Sequence, residues 1–516
     1  MDLSKAYDMV PRHLLWEAVR RAGIQGTFLE ALKSVYEDGE LVLMVGGTFG
    51  TRDKARSGIT QGSPLSPTLF CIYFDGYIRY VEAKCTGIGP RLRGGRHVPV
   101  LAYADDGKAL SKNREEGNLI LKATEEWCDM ARMIISPNKT HVIAFTEGAE
   151  AKLDGHFTYK GYPLEVVTQS RHLGVVFSSA KGMGETFAHL HGKMWAAWYS
   201  ILHKYGNLRS ATSIGILLKV FLACVVPTAS YACELWGWHK VPKSSSGITS
   251  ATLEKAFLKM LRAIVGVRTT VKTDIFLTEL GVRPLKYQWL KRMVTFWNAL
   301  VNLPENHLYA QVLRDSCYFG VTSRVPTWAG SFMVAIRSIG YPYTIDCHQP
   351  KSIDMDAFRE LLARSHRLTE HVHISPRLTP RDPLTCTYIR WFGQPTALQR
   401  TRLQSLPLDV RRVRTFYRFR LGVHDLPIDV GRRQNIPRNE RLCDMCGSEV
   451  GDERHFIFHC PTFSPLRQEF AWLFSSGSSS VRRFIWQDDL VGVVNFVYEG
   501  FRTRDQVLRS RGSGSV

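Results

Sequence analysis

Between residues 11 and 38 apolar positions recur at helical spacing in two runs. Leu14, Leu15, Ala18, Val19 and Ala22 share one face, and Pro11 suits the first turn. Gly23 to Gly26 break the run, and Phe28, Leu29, Leu32, Val35 and Tyr36 form a second stripe. Leu41–Val45 and Thr48–Arg52 flank Gly46-Gly47, which predicts a hairpin. An apolar helix is expected from Pro67 to Ala83. Val98–Tyr103 and Lys108–Leu110 read as strands around a short turn. Gly117–Arg132 returns to helical spacing, with Leu119, Ala123, Trp127 and Met130 on one face, and Ile134–Phe145 returns to a strand pattern. This order predicts an α+β layer in which helices pack on an antiparallel sheet.

From about residue 185 the pattern is helical, and Ala251–Gly266 is its clearest stripe after a Ser-rich linker at Val241–Ser250. Residues 320–400 are less regular and rich in Pro, Arg and His. Ser475–Ser480 reads as a flexible tract, and residues 505–516 are expected to be disordered. Val220–Trp238 is the most membrane-like stretch, but it contains Pro227 and Glu234 and suits a buried helical hairpin better than a span.

A chain of 516 residues is too long for one core, so several domains are expected. The formal charge of +20 is spread over a folded composition rather than gathered in Lys/Arg blocks, which suits a groove for a polyanion. The 11 cysteines are odd in number, and Cys71, Cys128, Cys224 and Cys233 sit singly in apolar runs, as reduced core residues do. That argues against a disulfide-framed secreted protein, as does the lack of a recognisable signal peptide.

One acidic pair changes the picture. Asp105 and Asp106 are adjacent in a turn flanked by Val100, Leu101, Tyr103 and Ala104. Neighbouring carboxylates repel, and desolvating them costs several kcal/mol unless a cation compensates. Mg²⁺ would do so with hard oxygen ligands, leaving positions open for phosphate oxygens. On the dipeptide alone, an ordinary turn is the competing reading.

The surrounding residues resemble the reverse transcriptases, and closely those of non-LTR (LINE-type) retrotransposons. Asp2-Leu3-Ser4-Lys5-Ala6-Tyr7-Asp8 looks like the family's motif A, and the run from Ser57 through Gln61-Gly62 to Pro67 like motif B. Tyr103-Ala104-Asp105-Asp106 resembles motif C, Asn138-Lys139-Thr140 motif D, and His172-Leu173-Gly174 motif E, the primer grip. The resemblance implies a polymerase palm, then a helical thumb, a helical connector and a small knuckle. It implies two Mg²⁺ ions held by Asp2, Asp105 and Asp106, with Asp106 less direct. Tyr7 would be the gate that excludes a 2′-hydroxyl, Gln61 and Gly62 would meet the nucleotide, and Lys139 would protonate the leaving pyrophosphate. The expected partners are an RNA template, a DNA primer and deoxynucleoside triphosphates. A core aromatic at Tyr7 and a solvated lysine at Lys139 are the alternatives, and Asp8 is expected to pair locally. An RNA-dependent RNA polymerase is disfavoured by Tyr7, since a gate that excludes ribose defeats RNA synthesis.

Residues 1–180 are thus expected to form the palm, 181–300 the thumb, 301–430 a basic connector, 431–475 the knuckle and 476–516 a tail. In the thumb, Trp195, Trp198, Tyr231, Trp236 and Trp238 could stack on bases or pack in the core. Between Arg411 and Arg441 stand nine arginines against three acids, interleaved with Phe416, Tyr417 and Phe419. That mixture suits single-stranded RNA, with a solvated helix face as the alternative. Cys443, Cys446, His455 and Cys460 follow with the spacing C-x2-C-x8-H-x4-C, a Cys3His set suited to structural Zn²⁺, with His459 competing for the third place. So small a segment is expected to depend on its metal.

In the family a fingers region precedes motif A, whereas here the motif A aspartate is residue 2. The resemblance therefore implies a 5′-truncated copy or a frame begun at an internal Met, with weak or no activity and no recognisable endonuclease. A non-catalytic nucleic-acid-binding remnant is the alternative. An intracellular location, nuclear or cytoplasmic, goes with either reading.

Overall fold

The computed structural model describes residues 1, 3–37, 39–54, 57–145, 153, 155–179, 183–205, 213–236, 250–323, 326–363, 388–393, 395–475 and 477–512. Asp2, Trp238 and most of the Val241–Ser250 linker lie outside them. The chain divides into two compact units, Met1–Thr186 with Pro304–Asp315, and Phe187–Leu303 with Ser316–Val516.

The first unit runs α1 (Ala6–Met9), α2 (Arg12–Arg21), α3 (Gly26–Glu37), β1 (Glu40–Val45), β2 (Thr48–Lys54), α4 (Ser66–Lys84), β3 (Val100–Tyr103), β4 (Asp106–Ala109) and α5 (Arg114–Met130). Short strands follow: β5 (His141–Val142), β6 (Thr158–Tyr159), β7 (Tyr162–Pro163), β8 (Glu165–Val166), β9 (Gln169–His172) and β10 (Val175–Ser178). Helix α4 is the spine. Its buried residues Leu69, Phe70, Tyr73, Phe74, Tyr77 and Val81 recur at helical spacing and meet Leu15, Trp16 and Val19 of α2 and Ile120, Ala123 and Trp127 of α5. Phe70, Phe74 and Tyr77 stack in sequence, with ring centroids 5.5 and 5.0 Å apart, and Trp127 meets the last two edge-on. Asn113 caps α5, its side chain accepting from the N–H of Glu116 at 2.8 Å.

The expected antiparallel sheet is broken into five two-stranded pieces among the described residues, and β5–β8 is parallel. Single backbone links partly bridge the pieces. Met1 exchanges hydrogen bonds with Gly107 at 2.9 and 3.2 Å, and Leu3 bridges Ile135. The long strand predicted at Ile134–Phe145 is also interrupted. Pro137 has no N–H to offer a ladder, and Pro137–Lys139 forms a 3-10 turn instead.

The second unit is helical among its described residues. Helices Ile214–Ala229, Ser250–Val265 and Leu285–Val301 enclose Phe221, Phe257, Trp289 and Trp297. The stretch beginning at Val220 turns at Ser230–Ala232 into the short helix Cys233–Trp236, and Trp236 is fully buried. No described helix is long and apolar enough to cross a membrane. Cys128 and Cys233 are buried as expected, but Cys71 and Cys224 are exposed. Over 505–512 the expected C-terminal disorder is replaced by the end of a helix, Leu490–Gly512, whose Leu490, Val493, Val494 and Val497 form a buried stripe; residues 513–516 lie outside the described residues.

Candidate active site and metal knuckle

In the β3–β4 hairpin Tyr103 pairs with Asp106, so Ala104 and Asp105 make the whole turn. Ala104 has φ 49°, the left-handed conformation such tight turns demand. Strand alternation then separates the side chains of β4. Gly107 faces α4, where a Cβ would lie 3.3 Å from Met1 Cε. Asp106 and Lys108 share the other face, with Lys108 Nζ 3.5 Å from Asp106 Oδ1. Asp105 is half-buried at the tip, and no described residue donates a hydrogen bond to its carboxylate.

Residues far apart in the sequence meet beside this turn. Ile59 donates its N–H to Tyr7 O at 2.9 Å, and Gly58 donates to Val10 O at 2.9 Å. Gly58 has φ +78°, and a Cβ there would stand 2.8 Å from Asp8 O, so only glycine permits this approach. Arg12 clamps the same loop through Nε to Gly58 O at 3.1 Å and Nη1 to Tyr36 O at 2.5 Å. Sequence reasoning missed Arg12, because nothing in its local pattern marks it.

The sequence-predicted residues fare differently. Tyr7 is half-buried and stacks on Phe70, centroids 5.0 Å apart, extending the aromatic row of α4. Burial, with the charge of Asp105, raises its pKa, so the phenol stays protonated. Gln61 is exposed and donates to Asp8 Oδ1 at 3.4 Å, so the partner of Asp8 comes from 53 positions away and not from its own segment. Gly62 is also exposed, with φ +88° and open space around it. Lys139 ends the 3-10 turn with its side chain exposed. His172 is drawn in from the far end of the unit: Asp106 Oδ2 accepts from its Nδ1 at 2.7 Å. Desolvation lowers the pKa of His172 despite that bond.

In the second unit Cys443, Cys446, His455 and Cys460 converge, with all four ligand atoms within 4.8 Å of one another. Cys443 Sγ and Cys460 Sγ are 3.8 Å apart, and Cys446 Sγ and His455 Nε2 are 3.3 Å apart. Tetrahedral Zn–S bonds of about 2.3 Å require S–S edges of roughly 3.8 Å. Glu449 Oε2 accepts from His455 Nδ1 at 3.0 Å, which leaves the Nε2 lone pair facing the thiols. Glu449 was not foreseen, although an acid between Cys446 and His455 was a usable signal. His459 is exposed and outside the cluster. Burial pushes the Cys443 thiol up to about 12. Burial also works to raise Cys446, but hydrogen bonds from Ser448, His455 and Cys443 outweigh it and bring that thiol down to about 6.

The knuckle is not a free-standing element. Phe456 packs its ring against Phe419, Phe463 and Phe501 at 5.7, 4.9 and 5.1 Å. Arg467 donates to Cys460 O at 2.7 Å, and Arg504 donates through Nε to Asp444 Oδ2 at 3.0 Å.

The expected RNA-binding stretch is corrected. Phe416, Tyr417 and Phe419 are fully buried and cannot stack on bases. Its arginines are largely engaged within the unit. Arg414 donates to Ile264 O and Ala263 O at 2.8 and 2.9 Å, and Arg418 to Gly266 O at 2.6 Å. Arg420 is buried in a two-bond pair with Glu279, at 2.5 and 3.0 Å, and Tyr388 shares the same carboxylate at 2.6 Å. Along the helix Val410–Arg420 the apolar positions and Arg420 are buried, while Arg411 and Arg418 stay exposed. Of the expected stacking aromatics, Trp198 and Trp236 are core residues, Trp195 donates to His191 Nε2 at 3.0 Å, and Tyr231 is exposed.

A two-residue acidic turn, a glycine-dependent loop against the α1 segment and a hairpin reaching back to the turn thus come together in the first unit. Residues 1–177 match the reverse transcriptase (RNA-dependent DNA polymerase) family, and this part of the chain is a reverse transcriptase domain. Its relatives place it with the non-LTR retrotransposons. It is 28% identical over 187 residues to the retrovirus-related Pol polyprotein from type-1 retrotransposable element R2 of Nasonia vitripennis, covering 35% of this chain and 18% of that one. The R2 polyprotein of Popillia japonica is 28% identical over 185 residues, 35% of this chain and 30% of that one. A probable RNA-directed DNA polymerase from transposon BS of Drosophila melanogaster is 22% identical over 246 residues, 46% of this chain and 26% of that one. The matched stretches therefore span less than a third of each of these relatives.

Proposed function

We propose that this chain contributes the catalytic palm of an RNA-directed DNA polymerase that extends a DNA primer on an RNA template of a non-LTR retroelement. The observation that carries the reading is the meeting of the Tyr7 segment, the Gly58 loop and the Asp105 turn on one side of α4. Asp2 and Asp105 hold divalent ions, with Asp106 beside them, and Asp2 enters on resemblance alone. The chemistry of the donor set fits: an undonated, half-buried carboxylate at Asp105 offers the hard oxygen lone pairs Mg²⁺ takes. When bound, two such ions activate the primer hydroxyl and stabilise the departing pyrophosphate.

The protein's own part is positioning. Tyr7, held by Phe70 and kept neutral, presents an aromatic wall to the sugar and excludes a 2′-hydroxyl. Gln61 and Gly62 border the nucleotide, where open space around Gly62 admits close approach. Lys139 supplies a proton to the leaving group from the exposed turn. Residues 1–180 act as palm, 181–300 as thumb, 301–430 as connector and 476–516 as a tail. In residues 431–475 the Cys3His set holds a structural Zn²⁺, supported by the sulfur spacing and the Glu449–His455 bond.

Primer extension on an RNA template tests the reading. The assay compares this chain with the same chain joined to the preceding residues of the Nasonia R2 relative. Mg²⁺-dependent extension is expected from the joined protein, falling by about a thousandfold or more in Asp105→Asn. A joined protein that binds primer–template yet extends equally with either residue at 105 rejects the assignment.

A further inference from the structure

The two adjacent carboxylates of the hairpin are in opposite chemical situations. Asp106 is engaged on both oxygens, Oδ2 by His172 Nδ1 at 2.7 Å and Oδ1 by Lys108 Nζ at 3.5 Å. Asp105, one residue earlier, receives no hydrogen bond from any described residue. An incoming cation competes for lone pairs, and those of Asp106 already face a cationic side chain and a ring N–H. Alternation along β4 enforces the difference, since Asp106 must share a face with Lys108 while Asp105 belongs to the turn.

His172 is the last residue of β9, and Leu173 and Gly174 form the two-residue turn into β10. Both have positive φ, 46° and 78°, which matches the twist of a tight hairpin but is unfavourable for Leu173. Side-chain bonds with Thr186 and Asp106 help fasten the hairpin. Thr186 Oγ1 accepts from the N–H of Val176 at 3.0 Å and donates to Val176 O at 2.9 Å. At the turn end, His172 bonds to Asp106, and Leu173 beside it also has a partner. A segment 66 positions away in sequence is thereby tied to the acidic turn.

We propose that Asp106 is a positioning residue that latches the β9–β10 hairpin to the acidic turn through His172, leaving the metal to Asp105 as the polymerase reading above already has it. The metal half rests on that reading; the latch does not. In this arrangement a hairpin and a catalytic carboxylate turn move as one body. Asp106 acts on the reaction by holding geometry.

Two readouts on the full chain test this: Mn²⁺ binding followed by electron paramagnetic resonance, and amide hydrogen exchange across residues 169–178. Asp105→Asn is expected to weaken Mn²⁺ binding about tenfold or more, and Asp106→Asn by less than about threefold. Asp106→Leu and His172→Leu are expected to speed hairpin exchange about tenfold, while Asp105→Asn leaves it unchanged. His172→Asn restores protection, because its amide can donate from the place of Nδ1. Equal loss of Mn²⁺ in both Asn variants overturns the division of roles. Unchanged exchange in His172→Leu overturns the latch. If neither Asn variant alters Mn²⁺ binding while the hairpin still loosens, the metal half falls together with the polymerase reading and the latch stands.

Discussion

Asp105 and Arg420 each sit where a regular element ends, yet their surroundings are opposite. Asp105 caps a two-residue turn between short strands, half-exposed and without a donor among the described residues. Arg420 ends the helix Val410–Arg420 fully buried, its guanidinium fastened to Glu279 and stacked over Trp486 at 4.3 Å. Burial pulls its pKa down, but Glu279 more than compensates and the net direction is upward. In the first unit, then, short turns hold an acidic group open to a ligand. In the second, a buried arginine is paired with an acid inside the fold, although its Nη1 has no hydrogen-bond partner among the described residues. A charged residue advertises chemistry only when the fold leaves its valence unspent.

The largest test of this contrast is at the buried pair. Arg420→Met should cost about 3–5 kcal/mol, because Glu279 is left charged and unpaired, whereas replacing both residues by Met should recover most of the loss. Urea unfolding followed by tryptophan fluorescence measures both, and a single-variant cost below about 1 kcal/mol would contradict an internal role. Next is the knuckle. Cys460→Ser should release bound zinc, seen by elemental analysis, and lower stability by about 3 kcal/mol without unfolding the unit. The ring packing of Phe456 should keep Leu490–Gly512 protected from hydrogen exchange. Global unfolding on chelation would mean that the metal, not the aromatic core, holds this region.

A smaller effect is expected in the first unit at Gly58→Ala, about 2 kcal/mol, since the new Cβ meets the backbone of Asp8 in a left-handed conformation. Its Tm should fall while the second unit's hydrogen-exchange protection is unaltered. The smallest effect is at Arg414→Ala. Its two bonds to the carbonyls ending the helix Ser250–Val265 are worth about 1 kcal/mol. Affinity for single-stranded RNA, measured by anisotropy, should stay within about twofold. A tenfold loss of RNA affinity would return this arginine to the nucleic-acid surface.

Most of the first unit was legible because its elements are written locally. The α4 stripe, the Gly46-Gly47 hairpin and the strands around Asp105 each follow from spacing and turn chemistry, and each forms near its predicted place. The error at Ile134–Phe145 came from reading alternation past Pro137, where the missing N–H decides. The convergence of the Cys3His set was legible for a related reason: thiols and an imidazole at fixed intervals have few other uses. Glu449 and Arg12 were not found, since one supports a ligand and the other clamps a loop through partners far along the chain.

The arginine-rich stretch shows where sequence stops. Nine arginines among aromatics define a basic, amphipathic segment, and that much is composition. Whether Phe416, Tyr417 and Phe419 face solvent depends on what packs against their helix, and here Leu490–Gly512 covers it. The sequence by itself determined the turn that carries Asp105 and Asp106, the spacing of the Cys3His set and the family resemblance, because hairpin turns and residue spacing are short-range. Only the tertiary structure decided that Asp106 is tied to His172, that Arg420 is paired with Glu279, and that Asp105 has no donor among the described residues. Those outcomes depend on which distant groups arrive to share a lone pair or cover a ring, and long-range packing sets that.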